Sequence, residues 1–307
     1  MSAPSLAPIV LFVYRRPSLT RQVLEALRRN PEAGASELFI FSDGPRDAEA
    51  APAVEEVREL CQSVEGFAKV TLVAREGNWG LAQSVIAGVT QVCASHGRVI
   101  VLEDDLIVSP HFLAYMNEAL ERYAEAEPVM QISGHLFPVP WEGEADAAFL
   151  PMTTSWGWAT WQRAWAAFDA EMTGFERLAG DRTLQMEFDL NDSYPYFQML
   201  KNQRQGKVDS WAIRWWLSVF WAKGMTLFPG RSLVQNIGFD VAATHGFDGR
   251  NLEGDFSDFS VRNFPEVSVN LVQFDRVGTF LAGQNKKSGF LCRLVRLVKR
   301  SRSWFSL

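Results

Sequence analysis

Ile9-Val10-Leu11-Phe12-Val13 is an unbroken apolar run, the pattern of a short strand covered on both faces rather than one that wets a side. Pro17 follows at the place of a first helical residue, and Val23, Leu24 and Leu27 recur at helical spacing. The alternation then repeats. Leu38–Phe41 reads as a second strand that ends in the turn Ser42-Asp43-Gly44, followed by a helix through Val54, Val57 and Leu60. A third strand is predicted over Val70–Val73, a helix over Leu81–Val92, and a fourth strand over Val99–Leu102, which runs into Glu103-Asp104-Asp105.

Strands alternating with helices imply βαβ units. The fold class is therefore α/β, Rossmann-like, with a mostly parallel central sheet flanked by helices. In such sheets ligands sit beyond the carboxyl ends of the strands, where the strand order switches. The turns at Asp43 and at Glu103-Asp104-Asp105 both fall at predicted carboxyl ends.

The second half of the chain has another texture. Nine of the 11 tryptophans lie between Trp141 and Trp221, among short helical and turn-rich segments. Trp158, Trp161 and Trp165 stand at helical spacing, as do Trp211 and Trp215, so most are expected as buried scaffold, with Trp156 left over to face a ligand. Trp211–Trp221 reads as an apolar helix. No low-complexity linker or repeat divides the chain, so one domain is expected over 1–285. Residues 286–307 differ: Leu291, Leu294, Val295 and Val298 make an apolar stripe, while Arg293, Arg296 and Arg300 share another face, ahead of Trp304 and Phe305. That is the pattern of an interfacial helix drawn to an anionic membrane surface, or else of a surface helix docked on the domain.

Composition narrows the classes. With 47% hydrophobic and 21% charged residues the chain can bury a large core and is not globally disordered. Net charge is -6, which argues against nucleic acid as a partner. Three widely spaced cysteines, Cys61, Cys93 and Cys292, give neither a disulfide framework nor a zinc site and fit a reducing compartment. The run Pro8–Tyr14 is too short to span a membrane and lacks a basic leader, so a cytoplasmic location is expected, with the tail as a possible peripheral contact on the inner membrane face.

Three consecutive carboxylates after a buried strand need a counter-charge. A hard divalent cation, Mn²⁺ or Mg²⁺, would supply it, since such ions are held by one or two carboxylates together with substrate phosphates. An acidic turn that caps the next helix, with Ser109 nearby, is the other reading of the same residues. Asp209, ahead of the helix from Trp211, is likewise either a general base or an N-cap.

The segment Val101-Leu102-Glu103-Asp104-Asp105-Leu106-Ile107-Val108-Ser109-Pro110-His111-Phe112 closely resembles the donor site of GT-A glycosyltransferases, nearest to the N-acetylglucosaminyltransferase I family. The likeness continues in order through Tyr14-Arg15-Arg16-Pro17, Ser42-Asp43-Gly44, Asn78-Trp79-Gly80-Leu81, Ser155-Trp156-Gly157-Trp158, Asp209-Ser210-Trp211 and Thr244-His245-Gly246. It implies a nucleotide-binding half over about 1–135 and an acceptor-side half over about 136–285. Carried over residue by residue, it implies that Arg16 touches the donor diphosphate and Asp43 the base, most simply a uracil. Ser84 falls where the family contacts the base with a histidine. Asp104 serves the ribose, Asp105 the metal and Glu103 the transferred sugar. Trp156, Gly157 and Trp158 shape the sugar pocket, His245 meets the diphosphate or the metal, and Asp209 is the catalytic base of an inverting transfer.

The expected activity is therefore metal-dependent transfer of a sugar from a nucleotide-sugar donor, most simply a UDP-sugar, to a carbohydrate or lipid-linked glycan acceptor, as in surface polysaccharide or lipopolysaccharide synthesis. A sugar nucleotidyltransferase would carry a glycine-rich basic loop after the first strand, where this chain has Tyr14-Arg15-Arg16-Pro17. A non-catalytic carbohydrate-binding protein on a transferase scaffold is the alternative from another class.

Overall fold

The computed structural model describes residues 6–239 and 252–284. Its first half is the predicted alternation: β1 (Ile9–Val13), α1 (Pro17–Arg28), β2 (Glu37–Ser42), α2 (Ala51–Gln62), β3 (Lys69–Ala74), α3 (Leu81–His96) and β4 (Arg98–Glu103). Beyond it come β5 (Leu106–Val108), α4 (Phe112–Arg122), β6 (Val129–Ser133), β7 (Ala147–Leu150), β8 (Trp158–Trp161) and α5 (Gln162–Trp165). The remainder is α6 (Phe175–Gly180), α7 (Arg182–Phe188), α8 (Tyr196–Arg204), α9 (Trp211–Trp221), β9 (Met225–Pro229) and β10 (Val234–Asn236), with a further helix over 271–284.

Eight strands form one sheet in the order β3-β2-β1-β4-β8-β6-β9-β7. β3, β2, β1 and β4 run parallel, whereas β8 is antiparallel to both β4 and β6. The chain steps outward from β1 to β3, then returns through α3 to place β4 on the other side of β1. This reversal opens a crevice at the carboxyl ends of β1 and β4, where ligands bind in such sheets. Register sets the detail: Phe12 lies opposite Glu103, so the residues after β1 face the acidic turn.

Every residue of β1 is buried, which is why its sequence shows no polar alternation. α3 covers it with a stripe of Ala82, Val85, Val89 and Val92. Gly88 in that helix allows the closest approach, because a Cβ there would come within 2.8 Å of the Phe12 ring. The tryptophan-rich half joins the same core rather than forming its own. Trp158 stacks on Trp211 at 5.0 Å, and Trp165 reaches back to donate its indole N–H to Thr90 Oγ1 on α3 at 2.9 Å. Trp161 and Trp215 likewise find buried acceptors, Leu120 O at 2.9 Å and Gln131 Oε1 at 2.7 Å, as buried indoles require.

One expectation is corrected here. Trp158 and Trp161 do not lie on a helix with Trp165: they bound β8, and the helix begins only at Gln162. Spacing of three suits a strand end as well as a helix turn, and pairing with β4 and β6 decided the matter. Among the described residues no helix is long and apolar enough to cross a membrane. The basic segment expected over 286–307, and His245, lie outside the described residues.

Candidate active site

Arg16 is the N-cap residue of α1 and makes no side-chain cap of its own; Pro17 takes the first helical position. Its guanidinium instead crosses the crevice. Nη1 lies 3.0 Å from Asp105 Oδ2 and 4.0 Å from Asp104 Oδ1. The Tyr14 amide donates to Asp104 Oδ2 at 3.2 Å, so the turn after β1 holds the acidic turn after β4 at two points. These contacts join residues 89 and 90 positions apart and exist because β1 and β4 are neighbours.

The carboxylates are crowded. Burial first, and then the neighbouring Asp105 and Asp104 charges, push the Glu103 carboxyl up to about 8. Burial and Asp105 likewise push Asp104 up to about 7. Arg16 offsets part of this in both cases. Ionising all three carboxyls is therefore costly in the protein alone, and a hard cation such as Mn²⁺ or Mg²⁺ bound to this all-oxygen set would lower that cost. Among the described residues no three His, Cys, Asp or Glu side chains form a closed metal cage. An open site of one or two carboxylates completed by phosphates fits that arrangement.

Asp43 sits just past β2 and is 7% exposed. Its Oδ1 accepts from the amides of Gly44 at 3.0 Å and Trp79 at 2.8 Å, and its Oδ2 from Gly80 at 2.8 Å. The side chain therefore organises the Asn78-Trp79-Gly80 turn that starts α3, a structural duty the sequence did not reveal. Ser84 is buried on α3, where its hydroxyl accepts from the Arg75 guanidinium.

Arg75 itself was missed. It follows β3, lies 8% exposed, and stacks its guanidinium 4.1 Å from the centroid of Trp79, whose ring is half exposed. Burial lowers its pKa and the Asp43 charge raises it again. The signal that singled out Asp43, a charged residue at a strand's carboxyl end, applies equally to Val73-Ala74-Arg75.

A second missed residue is Gly238. β10 pairs antiparallel with β5, directly after the acidic turn, and the chain beyond it folds onto Asp105. The Ile237 amide donates to Asp105 O at 2.8 Å, and a Cβ at Gly238 would collide with the Asp105 carboxylate. Nothing in the sequence links positions 105 and 238.

The Ser155–Trp158 segment divides. Trp156 is half-buried, with its ring 4.6 Å from His135 and 5.7 Å from Phe239. Trp158 is corrected: at 1% exposure and stacked on Trp211, it is buried scaffold. Gly157 has a packing duty as well. Its φ of +60° and the closeness of Val234 and Phe112 are enough by themselves to require a glycine.

Asp209 precedes α9 but does not cap it. Ser210 does, accepting from the Ile213 amide at 3.5 Å. The Asp209 side chain is 63% exposed and accepts from Arg214 Nη2 at 2.7 Å.

No curated protein matches the chain. Among solved structures, the mannosyltransferase PcManGT from Pyrobaculum calidifontis, in complex with GDP-Man and Mn²⁺, is 11% identical and covers 72% of each chain at a TM-score of 0.38. TarS of S. aureus is 15% identical over 50% of this chain and 28% of its own, at a TM-score of 0.33. Scores this low carry no argument about chemistry. The likeness to the N-acetylglucosaminyltransferase I family stays at the level of the motifs. Residues 9–139, from β1 past β6, match the family model described as Glycosyl transferase family 2, and this stretch is a glycosyltransferase domain of the GT-A type.

Proposed function

We propose that the protein transfers a sugar from a nucleoside-diphosphate sugar, with uridine the base of first choice, to a hydroxyl of a glycan or glycolipid, inverting the anomeric carbon. The observation that carries this reading is the meeting of Arg16 with Asp104 and Asp105 at the strand-order switch, inside the stretch that matches the family.

Each residue has a duty in that reading. Arg16 and the positive end of α1 face the diphosphate. Asp105 holds the metal, Asp104 the ribose, and Glu103 a hydroxyl of the sugar being moved. When bound, Mn²⁺ or Mg²⁺ neutralises the charge that develops on the departing diphosphate. The base lies at the turn that Asp43 organises, against the open face of Trp79. The acceptor oxygen attacks the anomeric carbon as the bond to the diphosphate oxygen breaks, and the acceptor's proton passes to Asp209. Asp209 suits that duty because Ser210 relieves it of capping and Arg214 holds it in one orientation.

Replacement of Asp209 by Asn tests the assignment. Turnover of UDP-sugar with Mn²⁺ and an accepted acceptor should fall by roughly 10²–10⁴-fold, the usual worth of a positioned base, while UDP affinity stays as in the wild type. Full activity in the variant would place the base elsewhere.

A further inference from the structure

A cavity of about 170 Å³ opens at the start of α9, lined there by Ser210, Ala212 and Ile213 and elsewhere by the 153–156 segment. Its lining includes the aromatic side chains of Trp156, Tyr194, Tyr196 and Trp216 beside the aliphatic Met199 and Ile213. Hydroxyls of Thr154, Ser155 and Ser210 stand among them. No Asp, Glu, Lys or Arg is among the described residues that line it. His135, which also lines it, is buried and packs its ring on Trp156, and burial lowers its pKa to about 3, so it is neutral.

Its position ties it to the chemistry at both ends. Trp156 packs on Phe239, the residue after Gly238, and Gly238 lies against Asp105. At the other end Ser210 follows Asp209 in the chain. The cavity is thus linked through packed residues to the residue assigned to the metal, and through the chain to the residue assigned as base.

We propose that this cavity is the acceptor subsite and takes one uncharged pyranose ring, stacked on Trp156 with its hydroxyls toward the Ser and Thr side chains. The proposal rests on the transferase reading above. The C–H face of a pyranose is apolar and suits an indole ring, while its rim of hydroxyls needs the neutral donors and acceptors present. A carboxylate or phosphate would lose its water there with no counter-charge among the described lining residues, so uronic acids, sialic acids and phosphorylated sugars are refused. The volume admits a single ring, well below that of pockets that enclose drug-sized ligands.

The test is saturation-transfer NMR on the full chain, with UDP and Mn²⁺ present, using the methyl pyranosides of glucose, galactose, mannose and N-acetylglucosamine beside methyl glucuronoside. At least one neutral glycoside should receive saturation on its ring protons, at ten times or more the level of the glucuronoside. Ala212→Trp, which fills the cavity from the first turn of α9, should abolish that transfer, and a UDP titration reports whether the variant is folded. The proposal is overturned if no neutral glycoside binds, if the glucuronoside binds as well, if Ala212→Trp leaves transfer intact, or if an octyl glucoside is saturated on its alkyl chain instead of its ring. UDP binding without glycoside binding sinks the subsite and leaves the transferase reading standing. Glycoside binding without UDP binding leaves a site for neutral glycosides but sinks the transferase reading, and the acceptor assignment with it.

Discussion

The backbone of Gly238 lies directly against the Asp105 carboxylate, so that any side chain at 238 would overlap it. Position 238 therefore sets where the proposed metal ligand can point. Gly238→Ala should weaken Mn²⁺-dependent nucleotide binding by roughly tenfold or more, since displacements near 1 Å at such sites are costly. Its effect on stability should be smaller, about 1–3 kcal/mol for overpacking. Nucleotide titration beside a denaturant melt separates the two, and unchanged affinity would show that Asp105 is free to shift.

Asp43 predicts the opposite balance. Its carboxylate accepts three backbone amides, and Asp43→Ala takes that partner from the buried Gly44 amide and from the part-buried amides of Trp79 and Gly80. Orphaned buried groups cost about 1–3 kcal/mol each, so the chemical-denaturation midpoint should drop clearly, and nucleotide affinity with it as the Trp79 turn loosens. A variant as stable as the wild type would contradict the capping role.

Much of this was legible before the structure. The unbroken apolar runs of β1, β2 and β4 mark strands buried on both faces, and from them follow the sheet and the placement of Asp43 and Glu103-Asp104-Asp105 at its carboxyl edge. What could not be read is whatever depends on contacts between distant positions. The pairing of β5 with β10, which brings Gly238 to Asp105, leaves no local pattern. Trp158 and Trp161 share a spacing that serves helix and strand alike, and only the neighbouring strands chose between them. Asp43 was read for its charge, while its amide partners came from a loop 36 residues on.

His135 gives a pH dependence with a definite sign. Burial lowers its pKa to about 3, against an ordinary value near 6.5. Between those values the unfolded chain takes up a proton that the folded chain refuses, so stability is full above pH 6.5 and falls as pH drops toward 3. The slope from this group is at most about 1.4 kcal/mol per pH unit. His135→Leu should flatten the loss, measured as the difference between variant and wild-type unfolding free energies from pH 7 to pH 4. A pH-independent difference would mean that the ring takes up its proton as readily in the folded protein as in the unfolded chain.

The central claim is the donor site, and calorimetric titration of UDP with and without Mn²⁺, on the wild type and Asp105→Ala, tests it most directly. Binding that requires the metal and disappears in the variant is the predicted result. If another nucleoside diphosphate binds in this metal-dependent way and UDP does not, the site stands and only the uridine assignment falls. Failure of every nucleoside diphosphate to bind, with or without Mn²⁺, would contradict the account.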